Sequence, residues 1–159
     1  MSVLAILRPD SWNVALLVHV GGAMVLVGGA FTALVTLLLS WRAPGDGAVA
    51  RYARLAFRAL LFAALPGWIL MRIGAEWIYS KEGWADTPDE PAWLGFGYIT
   101  ADGGGFFLLL ALIVGGIGAR RLGRGGGDRS VLARIATVLA AVLLAFCLVA
   151  VWAMSAKPD

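Results

Sequence analysis

Residues 12–41 read WNVALLVHVGGAMVLVGGAFTALVTLLLSW, and His19 is the one ionisable side chain among them. A helix needs about 20 apolar residues to cross the roughly 30 Å hydrocarbon core of a bilayer, so this stretch is long enough to span it. Only a helix satisfies its own backbone hydrogen bonds as an isolated segment in lipid, and an apolar run this long exceeds an ordinary strand. Working outward, three more such stretches appear at about 58–79, 101–119 and 131–154. The expectation is an all-α protein, a four-helix transmembrane bundle built as one integral membrane domain over residues 1–159.

Composition agrees. The 159 residues are 60% hydrophobic and 14% charged, with a mean hydropathy of +0.83; soluble domains carry about 25% charged residues. The net charge of +3 does not point to nucleic acid, because most basic residues flank the apolar stretches, where the positive-inside rule accounts for them. The partners implied are membrane lipids and other membrane proteins. Eleven arginines against two lysines, with abundant Ala and Gly, suggest a GC-rich bacterial source and hence a bacterial plasma membrane. Cys147 stands alone within the last stretch, which excludes an intrachain disulfide and reads as packing. The start, MSVLAILRPDSW, lacks a basic first region and does not read as a cleavable signal.

Orientation follows from the loops. Residues 42–58 carry four arginines and one acid, and residues 120–134 carry five arginines and one acid, which assigns both to the cytoplasm. The loop Ser80–Thr100 holds Glu82, Asp86, Asp89 and Glu90 against Lys81, so it and both termini face outside. Its aromatics, Trp84, Trp93, Phe96 and Tyr98, read as interfacial anchors or as a lid, with a short helix around Pro91–Leu94. Residues 48–57 extend the second span as helix, since Arg51, Arg54 and Arg58 share one face. Pro66-Gly67 should kink that span near its middle.

The functional clue is a coincidence of depth. His19 lies seven residues inside Trp12 and Arg72 seven inside Tyr79, each about 10 Å deep at 1.5 Å per residue. Glu76 is one turn from Arg72, and Asp102 opens the third span from the same side. Ionisable groups at membrane depth cost roughly 2.5–3.5 kcal/mol each on insertion scales, so they usually line a bundle interior or cavity. Arg72 and Glu76 read as an intrahelical ion pair, with Trp68 one turn below as a cation–π partner. His19 could hydrogen-bond Glu76 or Asp102, titrate, ligate a metal or bind haem iron. A single histidine excludes bis-histidine haem within one protomer, and histidine–methionine ligation could use Met154, Met24 or Met71. A divalent metal could take His19, Glu76 and Asp102. Around His19, residues Gly22, Ala23, Leu26, Gly29, Ala30 and Ala33 form a face that is small apart from Leu26. Such a face permits close helix packing, or leaves room beside the imidazole for a flat cofactor. No phosphate-cradling glycine loop or serine–histidine–acid set is present, which excludes ATP-driven and triad-type hydrolytic chemistry.

The segments HVGGAMVLVGGAF (19–31), RLAFRALLFAALPGWILMRIGAEWIYSKE (54–82), GYITADGGG (97–105) and AVWAMSAKPD (150–159) resemble a group of uncharacterised four-helix integral membrane proteins of actinobacteria. The resemblance implies fold and location, with no activity attached. More distantly, a histidine followed by two glycine pairs in a first span is similar to copper-resistance D-type and HemJ-type membrane proteins. That likeness implies copper handling or haem-linked oxidation near His19. HemJ-type proteins add a membrane lysine, whereas Lys81 and Lys157 lie outside the spans and Arg72 is the intramembrane cation, so only His19 carries over.

Three functions follow, and the sequence names no reaction. The first is an accessory or interaction subunit in a membrane assembly. The second is a haem- or metal-binding redox protein, with His19 as ligand and Arg72 pairing a cofactor carboxylate such as a haem propionate. The third is a proton or metal-ion conduit using His19, Glu76 and Asp102.

Overall fold

The computed structural model describes residues 13–83, 91–122 and 129–156. They form four helices: α1 (Asn13–Arg42), α2 (Asp46–Glu82), α3 (Ala92–Leu122) and α4 (Arg129–Ala156). All four are long and apolar enough to cross a membrane. Large side chains such as Leu17, Met24, Phe31, Phe62 and Phe106 point outward, while alanines dominate the interior, the arrangement expected when the surroundings are lipid.

Local chemistry sets the helix ends. Pro44 and Gly45 (φ +78°) separate α1 from α2, and Asp46 in the first turn of α2 complements the helix dipole. Gly83 (φ +71°) closes α2 in the left-handed conformation that glycine adopts without strain. Pro91 precedes α3, and its carbonyl accepts from the Leu94 N–H.

Inside α2, Leu60–Ala64 is a π-helical turn immediately before Leu65 and Pro66. Proline lacks an N–H, and widening the preceding turn is one way to accommodate the loss. The irregularity anticipated at Pro66-Gly67 takes this form.

One span differs from expectation. The short helix expected around Pro91–Leu94 is the start of α3, which runs on without a break through residues 95–100, expected as loop, so Trp93, Phe96 and Tyr98 all sit on that helix. Helix α2 begins at Asp46, so residues 48–57 extend the second span as helix, as expected, and its 37 residues reach about 55 Å, well beyond the hydrocarbon core. Hydropathy finds only the lipid-facing part of a helix, which explains the shortfall at α3. Trp84 and the Gly125–Gly127 turn lie outside the described residues.

The helices alternate in direction and pack in the order α1–α2–α3–α4, with α4 returning to α1. The core joins Leu26, Ala30 and Leu37 of α1, Leu60 and Ala64 of α2, Leu108 of α3, and Leu143 and Cys147 of α4. Arg42, Arg51, Arg54, Arg58, Arg120, Arg121 and Arg134 lie toward one end of the bundle; the other end, where α1 begins and α4 finishes, is the terminal end.

Candidate functional site

The seam between α1 and α2 is made of glycine. Gly22 and Gly29 on α1, and Gly67 and Gly74 on α2, are both spaced by seven residues, which returns each pair to one helix face. A Cβ added at Gly22 would strike the backbone of Gly67, Leu70 and Met71; at Gly29, Ala64 N at 2.5 Å; at Gly67, the backbone of Leu26 and Gly22. At Gly74 it would strike the backbone of His19 itself. The small face beside His19 is therefore filled by α2 and leaves no room there for a flat cofactor.

His19 sits on that seam. Its Nδ1 lies 2.9 Å from the Met71 carbonyl oxygen. A carbonyl can only accept, so Nδ1 is the donor, and in the neutral ring Nε2 is the nitrogen with the free lone pair. The neighbouring-helix hydrogen bond expected of His19 is thus made to backbone, and neither Glu76 nor Asp102 provides it.

Those carboxylates belong to a second arrangement, between α2 and α3 toward the terminal end. There the two backbones stand apart, and long side chains bridge them. Trp68, Arg72, Glu76 and Tyr79 follow one another at helical spacing along α2, facing Tyr98, Ala101, Asp102 and Gly105 of α3. Trp68 Nε1–H donates to the Ala101 carbonyl at 3.0 Å, and its indole covers Gly105 so closely that a Cβ there would come within 2.6 Å of the ring. Arg72 Nη2 reaches Glu76 Oε1 at 3.2 Å along its own helix and Asp102 Oδ1 at 3.4 Å across the gap. The guanidinium lies 5.0 Å from the centre of the Tyr98 ring. The Tyr98 hydroxyl hydrogen-bonds Glu76, and Tyr79 meets Tyr98 edge to face at 5.9 Å.

The Arg72–Glu76 pair is present as expected. The aromatic under Arg72 is Tyr98, while Trp68 engages Ala101 and Gly105 instead. Tyr98 is the participant that sequence reasoning missed as a site residue, having read it as a loop aromatic; the usable signal was its four-residue spacing to Asp102.

His19, Glu76 and Asp102 are not gathered into one ligand set, and among the described residues no group of three or more His, Cys, Asp or Glu could hold a metal. Equal depth fixes height along the membrane and says nothing of azimuth, and Arg72 takes both carboxylates toward α3. Of the methionines considered as haem ligands, Met24 points outward, Met71 is buried and Met154 is packed on Gly97. Among the described residues, Thr32, Thr36, Ser40, Thr100 and Thr137 each donate to carbonyls of their own helix and so link neither arrangement to the other.

Comparison of the chain with protein-family models, curated proteins and solved structures returns no match.

Proposed function

We propose that the chain is a multi-pass protein of a bacterial plasma membrane, with both termini outside, that serves as an accessory subunit packed against partner proteins in a membrane assembly. The observation that carries this reading is the flank beside Arg72. The Glu76 and Asp102 side chains are 53% and 63% exposed, against 23% for Arg72. They lie about 9 Å and 15 Å along their helices from the terminal ends. One guanidinium serves two carboxylates, and a charge left to lipid is costly, by roughly 2.5–3.5 kcal/mol at a helix centre and less toward the ends, where these lie. A polar partner surface covering the flank removes that cost. The arginine-rich loops support the orientation, and the arginine-heavy composition and the actinobacterial resemblance support the source. Nucleic acid has no part in this reading, since the arginines other than Arg72 flank the apolar spans.

Extraction into native-lipid discs and crosslinking test the proposal. The expected result is co-purification with a defined membrane protein, weakened in a Glu76→Gln/Asp102→Asn variant. Recovery of the wild-type chain only as free protomer contradicts it.

One observation favours a second reading, a haem- or metal-binding redox protein. Donation from His19 Nδ1 to a backbone carbonyl, with Nε2 left basic, is the arrangement ligating histidines use. On this reading the ligand approaches from the side of the imidazole away from Gly74. Gently purified protein should then show a Soret band or stoichiometric metal that is lost in His19→Ala. Colourless, metal-free protein from haem- and metal-replete cells removes this reading.

A further inference from the structure

The arginine-rich end of α2 carries a feature that the accessory reading does not use. Arg51, Arg54 and Arg58, with Leu55 between them, line one shallow, open depression on the exposed side of the helix. The opposite face, Ala50, Ala53 and Ala56, is buried. Relative to Arg51, Arg54 lies −60°, Leu55 +40° and Arg58 −20° around the axis, at 100° per residue. The acidic residue of this segment, Asp46, is about 140° away from Arg51 on the same wheel. Arg54 Nε–H donates to the Ala50 carbonyl at 3.2 Å, a bond that leaves both terminal guanidinium nitrogens uncommitted to it. Among the described residues, no carboxylate pairs with any of the three.

Their height is also specific. With about 20 residues crossing the hydrocarbon core and ending near Tyr79, the core boundary falls close to Leu60. Arg58 is then at the boundary, Arg54 about 9 Å and Arg51 about 13 Å beyond it, a range that spans the headgroup layer. Trp41, exposed at the end of α1, marks the same level. We propose that Arg51, Arg54 and Arg58 form a binding site for the phosphate of an anionic phospholipid, with Arg58 the nearest of the three to its acyl chains. Guanidinium forks match phosphate oxygens in geometry as well as charge. An open depression facing the bilayer suits a lipid that enters sideways. The inference needs the four spans and is independent of which side of the membrane is cytoplasmic.

The test measures tryptophan quenching in the full chain by brominated phosphatidylglycerol relative to brominated phosphatidylcholine. Each arginine near an anionic surface is worth about a fivefold preference, so Arg51→Gln/Arg54→Gln/Arg58→Gln should lose on the order of 100-fold and Arg54→Gln alone about fivefold. Arg120→Gln/Arg121→Gln, at the same end of the bundle, should retain the preference. If the triple variant fails to fold, Arg54→Gln decides. An unchanged preference in the folded arginine variants, or an equal loss in Arg120→Gln/Arg121→Gln, overturns the site in favour of diffuse charge. Displacement of the lipid by millimolar inorganic phosphate overturns the lipid as its ligand.

Discussion

The two seams on either side of α2 solve opposite problems with opposite residues. Toward α1, glycines at 22, 29, 67 and 74 let backbone meet backbone, and dispersion over that contact holds the helices where lipid removes any hydrophobic drive to associate. Toward α3, at the terminal end, the helices stand apart, and Trp68, Arg72 and Tyr98 span the gap with a hydrogen bond, an ion pair and ring contacts. Volume governs the first seam and polar geometry the second. His19 belongs to the first and the carboxylates to the second, which is why one depth does not make one site.

The largest effect expected is at the tight seam. Gly67→Leu or Gly74→Leu forces a side chain into opposing backbone and should destabilise the protein by about 1–3 kcal/mol in reversible detergent unfolding. Gly28→Ala, where an added Cβ meets nothing within 4 Å, should be neutral or stabilising by up to about 1 kcal/mol, as helix propensity dictates. A loss at Gly28 equal to that at Gly67 would break the contrast between filled and open glycine faces.

At the bridged seam the effects should be smaller. Arg72→Gln leaves Asp102 without its partner across the gap and should cost about 1 kcal/mol, within the range of interhelical polar contacts in membrane proteins. Glu76→Gln should cost less, because that pair lies within one helix and crosses no gap. The reverse order, Glu76 above Arg72, would mean that the intrahelical pair matters more than the bridge. Trp68→Phe removes the Ala101 bond together with the indole edge that covers Gly105, for a loss of about 0.5–1 kcal/mol. No change would show that neither contact holds that rung.

Much of this was legible in the sequence, and the residues show why. The four helices follow from apolar runs too long for strands, and the Arg72–Glu76 pair follows from helical spacing. The seven-residue glycine repeats that build the α1–α2 seam were in plain view. What hydropathy misses is rotation about the helix axis. His19 and Asp102 share a depth, yet one faces the Met71 carbonyl and the other faces Arg72. The continuation of α3 through residues 95–100 was missed because Gly95 and Gly97, with the aromatics Phe96 and Tyr98, resemble loop, although the helix there is anchored by Leu94 and Thr100, both buried.

The separation of the two seams is tested most directly by paired double-mutant cycles on unfolding free energy. One combines Arg72→Gln with Asp102→Asn, the other His19→Gln with Asp102→Asn. The expected result is a coupling of about 0.5–1.5 kcal/mol in the first cycle and additivity within about 0.5 kcal/mol in the second. Additivity between Arg72 and Asp102, or a coupling between His19 and Asp102 as large as theirs, would contradict it.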